Sequence, residues 1–92
     1  MSIVSGHVII NGNGKYLTED FMWTEAEDLN DVNLGAHVFT GSELMLVRVL
    51  KEVKEELWEF STPQKKQSAT YDTAERKITL VGSPEEFESR TA

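Results

Sequence analysis

Apolar and polar positions alternate from Ile3 to Ile10, with Val4, Val8 and Ile10 on one side and Ile3, Ser5, His7 and Ile9 on the other. A period of two predicts a strand. Asn11-Gly12-Asn13-Gly14 follows. Asn and Gly tolerate positive φ, so this is a turn, and Lys15–Thr18 is the returning strand of a hairpin. Residues 19–35 lose the period and are expected to be mostly irregular. One short helical turn is expected to open there, since Thr24 has capping-box spacing to Glu27. Gly35 ends the segment, and Ala36–Phe39 predicts a third short strand.

The period then becomes helical. Thr40-Gly41-Ser42-Glu43 is a second capping box and predicts a long helix over roughly 41–60. Leu46, Leu50, Val53, Leu57 and Phe60 recur at helical spacing as a core stripe. From Leu44 to Leu50 the helix is apolar all round except for Arg48, which asks for cover on two sides. Leu44, Met45, Val47 and Val49 are the candidates for a second, intermolecular contact. Ser61-Thr62-Pro63 stops the helix. Gln64–Ser68 reads as a polar loop, and Ala69–Asp72 with Arg76–Val81 as a second hairpin. Ser83-Pro84-Glu85-Glu86 predicts a short C-terminal helix, with Ser at the cap, Pro at the first position and Glu in the first turn. The expected fold is α+β: an antiparallel sheet of about five short strands packed against one long helix.

Ninety-two residues make a single domain, residues 1–92, that buries roughly 60–65% of its unfolded surface. The 39% apolar content and two Trp argue against a disordered acidic tail. Zero cysteines mean no disulfide and no thiolate metal site. MSIVSGHVII has no basic region ahead of its apolar stretch, so no signal peptide is expected. No window approaches the roughly 20 apolar residues of a membrane span. The expectation is an intracellular protein without membrane contact.

Charge changes this picture. The net charge is −7, and it is not spread evenly. Between Lys15 and Arg48 there is no Lys or Arg, whereas Glu19, Asp20, Glu25, Glu27, Asp28, Asp31 and Glu43 all lie there. The remainder holds nine acidic and nine basic residues, so the whole net charge belongs to this window. Nucleic-acid binding runs on Lys and Arg neutralising phosphates, so direct nucleic-acid binding is not expected. Attraction to basic protein surfaces is.

Other chemistry is poorly supported. Counting a calcium loop from Asp31, Asn33 fits the third position, but the sixth is Ala36 and the twelfth Ser42, where Gly and Glu are needed. His7 and His37 are the only imidazoles, too few for zinc without Cys; each reads as a strand residue with one satisfied nitrogen. Gly12-Asn13-Gly14 is followed by neither a third Gly nor a helix, so it is a hairpin turn and not a phosphate cradle. Nothing in the spacing assembles a catalytic triad or a carboxylate pair in a cleft. No enzyme, metal or cofactor is expected.

On the long helix, Glu52, Glu55, Glu56 and Glu59 face outward. Lys51 can pair with Glu55 and Arg48 with Glu52, an ordinary solvated face. Glu52 with Glu56, and Glu55 with Glu59, are instead like-charge pairs at the same spacing, which is mildly destabilising. The cluster from Glu19 to Asp31 has Phe21, Met22 and Trp23 inside it, which are expected to anchor it to the core. Carboxylates held on adjacent turns lie roughly 5–6 Å apart, comparable with one phosphate per about 3.4 Å of a DNA strand. An ordered row of this kind suits a groove made for phosphates.

The segment GHVIINGNGKYLTEDFMWTEAEDLNDVNLGAHVF resembles a small-protein pattern common in phages. In it a strand, an Asn-Gly turn, a GKYLT strand and a WT pair lead into an acidic stretch. Over its whole length the chain resembles the Arn-like anti-restriction proteins of T-even bacteriophage. That resemblance implies a homodimeric acidic DNA mimic, acting in the host bacterial cytoplasm. It would block the modification-dependent restriction endonuclease McrBC by occupying its DNA-binding surface. The family offers no motif whose residues transfer singly. The phosphate-mimicking candidates are therefore chosen from charge and anchoring: Glu19, Asp20, Glu25, Glu27, Asp28, Asp31, Glu52, Glu55, Glu56 and Glu59. Two alternatives are a small acidic adaptor binding partly through apolar surface, and a mimic aimed at a nucleoid-associated protein.

Overall fold

The computed structural model describes residues 3–25, 35–53 and 62–87. Six strands form one antiparallel sheet: β1 (Ile3–Ile10), β2 (Tyr16–Leu17), β3 (Trp23–Thr24), β4 (Lys65–Asp72), β5 (Lys77–Leu80) and β6 (Glu85–Glu86). The helix is α1, Gly41–Val53. The sheet order is β3-β2-β1-β4-β5, with β6 also paired to β4.

The β1–β2 hairpin forms where the sequence places it. Asn11 is buried, and its Oδ1 accepts hydrogen bonds from the backbone N–H groups of Asn13 and Lys15, both at 2.9 Å. The side chain thus supplies the acceptor that a tight turn otherwise lacks. Beyond Ile10↔Tyr16 the two strands diverge, and the segment 36–39 enters between them. Ala36 bridges Thr18 of the β2 side and Phe39 bridges His7 of β1. The expected third strand is therefore a pair of isolated bridges. Gly6 permits the close approach: a Cβ there would lie 2.2 Å from the Phe39 carbonyl oxygen.

β4 corrects the sequence reading most. Gln64–Ser68 was expected to be a loop, yet Lys65–Asp72 is a central strand paired with β1 along its whole length, from Ile3↔Asp72 to Ile10↔Lys65. Its polar composition hides a period of two, in which Gln67 and Ala69 are buried between more exposed neighbours. Ala69 joins an apolar cluster, and Gln67 donates from Nε2 to the Gly82 carbonyl at 2.8 Å.

The expected C-terminal helix is also overturned. Glu85 and Glu86 are strand residues opposite Lys66 and Lys65. Phe87 is 1% exposed and its N–H bonds to the Gln64 carbonyl. Burying that ring fixes the chain as a strand, and this outweighs the helix-start signal of Ser83-Pro84. Between Leu80 (opposite Ala69) and Glu85 (opposite Lys66), residues 81–84 face only Gln67 and Ser68. The outer strand therefore carries a wide bulge, with Gly82 at φ 73.

Successive strand residues point to opposite faces, giving two cores. On one face Ile9 and Leu17 pack with Leu44 and Val47 of α1, with Phe39 and with Phe87. On the other, Val8, Ala69 and Ile78 pack with Ala36 and Val38. Among the described residues the architecture is thus mainly antiparallel sheet with one 13-residue helix, in place of a sheet on a long helix with a second, C-terminal helix. The expected continuation of the long helix to residue 60, with Leu57 and Phe60, lies outside the described residues. Within α1 the buried stripe is Leu44 and Val47, whereas Leu46, expected in the core, is 60% exposed. No helix among the described residues is long and apolar enough to cross a membrane.

Candidate acidic interface

The site begins with the turn between β2 and β3. Leu17 pairs with Trp23 and Tyr16 with Thr24, so Thr24 is a strand residue; the helical turn expected to open from it towards Glu27 lies outside the described residues. Thr18 closes the loop three ways. Its N–H bonds to the Met22 carbonyl at 2.7 Å, its carbonyl accepts from Phe21 N–H at 3.0 Å, and its Oγ1 accepts from Met22 N–H at 3.0 Å. Glu19, Asp20 and Phe21 are left at the tip.

Phe21 has φ 63. The left-handed region costs a non-glycine residue about 1–2 kcal/mol, and the last residue of a three-residue hairpin loop is usually Gly for that reason. The ring offsets the strain. It packs on the helix-side core and stacks with Phe39 at a centroid separation of 6.2 Å and 20° between planes. Trp23 packs against the same cluster. The expected anchoring of the acidic segment by aromatics is realised here, through Phe21 and Trp23. Met22 points away and is 65% exposed.

Glu19, Asp20 and Glu25 are all exposed. None has an ion-pair partner among the described residues, and the sequence has no Lys or Arg between Lys15 and Arg48. Sheet order places this hairpin at one edge and the basic strands at the other. There, Lys65 and Lys66 face Glu86 and Glu85, and Lys77 faces Asp72. One edge is therefore charge-balanced and the other acidic. Glu27, Asp28, Asp31, Glu55, Glu56 and Glu59, and the side chain of Glu52, lie outside the described residues.

Glu43, counted in the sequence as a cap and within the acidic window but not among the phosphate-mimicking candidates, adds a carboxylate. Its Oε1 accepts from Thr40 N–H at 2.9 Å, and its Oε2 lies 3.2 Å from His37 Nε2. The Thr40 backbone bond, with smaller help from His37, holds the Glu43 carboxyl below the ordinary glutamate range, against the opposing effect of burial. His7 meets Ser68 Oγ through Nε2 at 3.4 Å. Burial, and then the charge of Lys66, push the His7 imidazole below its ordinary value, with Glu85 opposing.

An open groove of about 710 Å³ lies beside the hairpin. Glu19, Asp20 and Glu43 line it with Met22, and its apolar residues include Val38, Tyr71 and Ile78. Sequence reasoning missed the groove because its floor joins strands that are distant along the chain. The only local signal was the exposed apolar Met22 beside two acids.

The helix-face candidates divide. Leu44 and Val47 are 8% and 0% exposed in the core of their own chain, which removes them as a free surface; Leu44 and Val47 therefore correct that expectation. Met45 and Val49 are exposed, and Leu46 joins them. Among the described residues no three side chains of His, Asp or Glu are grouped to hold a metal ion. No protein-family model, no curated protein sequence and no solved structure matches the chain.

Proposed function

We propose that the protein is a non-enzymatic acidic DNA mimic. Its carboxylates take the place of DNA phosphates on the binding surface of a basic protein, with the restriction endonuclease McrBC as the target. The observation that carries this reading is the acidic edge. Glu19, Asp20 and Glu25 are exposed and without cationic partners among the described residues, on a hairpin anchored by Phe21 and Trp23. A mobile acidic tail would lose conformational entropy when it docks; carboxylates on an anchored hairpin lose less. McrBC and the homodimer rest on the family resemblance of the sequence.

The test is a competition titration. The protein is added to the DNA-recognition subunit of McrBC bound to labelled methylated DNA. Stoichiometric displacement that weakens as salt rises is expected, because the interaction is electrostatic. A folded variant carrying Glu19→Gln, Asp20→Asn and Glu25→Gln should lose most of it. Displacement undiminished in that variant would refute the mimic. DNA that stays bound would exclude McrBC and direct the same titration to a nucleoid-associated protein.

A second reading, an adaptor that binds through apolar surface, is favoured by the exposure of Met45, Leu46 and Val49 along α1. It predicts binding that persists at high salt and is lost on substitution of those three residues.

A further inference from the structure

We propose that the groove beside the β2–β3 hairpin receives an extended basic segment of the partner protein, one in which Arg or Lys neighbours an apolar residue. This deepens the DNA-mimic reading and rests on it for the basic character of the partner. DNA mimicry by itself requires only exposed carboxylates. It gives no reason for them to border an apolar trough.

The groove combines two features that select this chemistry. Its rim carries Glu19, Asp20 and Glu43, with no Lys or Arg among the lining residues. Its floor is apolar, formed by Val38, Tyr71 and Ile78. At about 710 Å³ it lies within the usual range for a binding cleft, roughly 300–1,000 Å³. Arg and Lys side chains lay their methylene stems on apolar surface while the charged head stays in water or on a carboxylate. Such a side chain fits a floor and rim arranged this way, and an adjacent apolar residue would cover Met22, which is 65% exposed. A small cation would use the rim and leave the floor wet. A neutral apolar peptide would leave Glu19 and Asp20 unpaired. A second copy of the chain brings a net charge of −7 against the same sign.

The rim is held in place. Phe21, left-handed at φ 63 and stacked on Phe39, fixes the tip that carries Glu19 and Asp20. Glu43 is oriented by Thr40 N–H and His37. Little rearrangement is left to pay for on binding.

The experiment uses the full chain and three probes: a fluorescent peptide alternating arginine and leucine, an oligoarginine of equal charge, and spermidine. The mixed peptide should bind about tenfold more tightly than oligoarginine, the factor expected from burying one aliphatic side chain. In methyl-resolved NMR it should shift Met22, Val38 and Ile78 and leave Val47 unmoved. Met22→Gln should reduce binding several-fold, whereas Glu86→Gln, at the charge-balanced edge, should not. Equal affinity for the two peptides, spermidine binding as tightly as the mixed peptide, or shifts confined to other methyls would overturn the assignment. The DNA-displacement titration separates the two readings. If the peptides do not discriminate while DNA is still displaced, the groove assignment fails and the mimic stands. If the mixed peptide shifts the groove methyls while DNA stays bound, the mimic fails and the groove stands.

Discussion

The ring of Phe21 stacks on that of Phe39, 6.2 Å between centroids, while the Phe21 backbone sits at φ 63. The contact joins the acidic hairpin to the chain segment that enters between β1 and β2. It also sets a strained residue where glycine would be relaxed. Phe21→Ala should lose the packing and keep the strain, destabilising by about 2 kcal/mol. Phe21→Gly loses the same packing and sheds the strain, so it should be about 1 kcal/mol more stable than the Ala variant. Urea denaturation of both reverses the usual ranking if the left-handed backbone is real; Ala at or above Gly in stability would refute it.

Gly6→Ala places a Cβ 2.2 Å from the Phe39 carbonyl oxygen. Backbone cannot yield as a flexible side chain can, so the expected cost is at the upper end of overpacking, about 3 kcal/mol. The His7–Phe39 bridge should open with it, visible as faster amide exchange at both residues. At Gly41 a Cβ meets nothing within 4 Å, so Gly41→Ala should be neutral to mildly stabilising, by up to about 1 kcal/mol.

Glu43 is lowered in the folded state relative to 4.5. A depressed carboxyl favours the fold above its unfolded value, and that contribution is lost as pH falls from 4.5 through the folded value. Glu43→Gln should therefore cost stability at neutral pH, by less than about 1 kcal/mol because the side chain is partly exposed. The gap between wild type and variant should close on acidification below pH 4.5. A gap that is constant with pH would mean that the carboxylate charge contributes nothing.

His7 acts in the same direction at higher pH, through its neutral rather than a charged form. Its folded value lies below 6.5, so the unfolded chain takes up the proton first. Stability is indifferent to His7 above that pH and falls as pH drops from 6.5 through the folded value. His7→Gln should flatten this part of the stability–pH curve. Thermal melts between pH 7.5 and 5 check it, and an unchanged slope would show that His7 is not the group responsible.

Local chemistry was legible and long-range pairing was not. Asn11-Gly12-Asn13-Gly14 announced the first hairpin, and Thr40 with Glu43 announced the start of the helix, because each signal involves residues within four of one another. Ala69–Asp72 was read correctly as a hairpin strand, but the first half of β4 was missed since Lys65-Lys66-Gln67-Ser68 carries no apolar alternation; its partners on β1 lie some 60 residues away, as His7 and Ser68 do. Ser83-Pro84 misled because burial of Phe87 decides that segment. The apolar spacing through Leu46, Leu50, Val53 and Leu57 points to one stripe, whereas packing on Ile9, Leu17, Phe39 and Phe87 turns Leu44 and Val47 inward. At the acidic edge, exposure of Glu19, Asp20 and Glu25 followed from charge alone. The conformation that aims two of them, at Phe21, had no sequence signature, because the left-handed position holds a residue that disfavours it.

The bulge across 81–84 has a further consequence. A sheet-rich protein invites strand-by-strand polymerisation wherever an outer strand offers a long, flat run of unpaired backbone groups. Here the β5–β6 side is interrupted by Gly82 and Pro84, and the opposite border is a two-residue strand, β3, between carboxylates that repel their like. Among the described residues, each border thus offers only a short run of backbone to a copy of itself, which works against strand-by-strand growth.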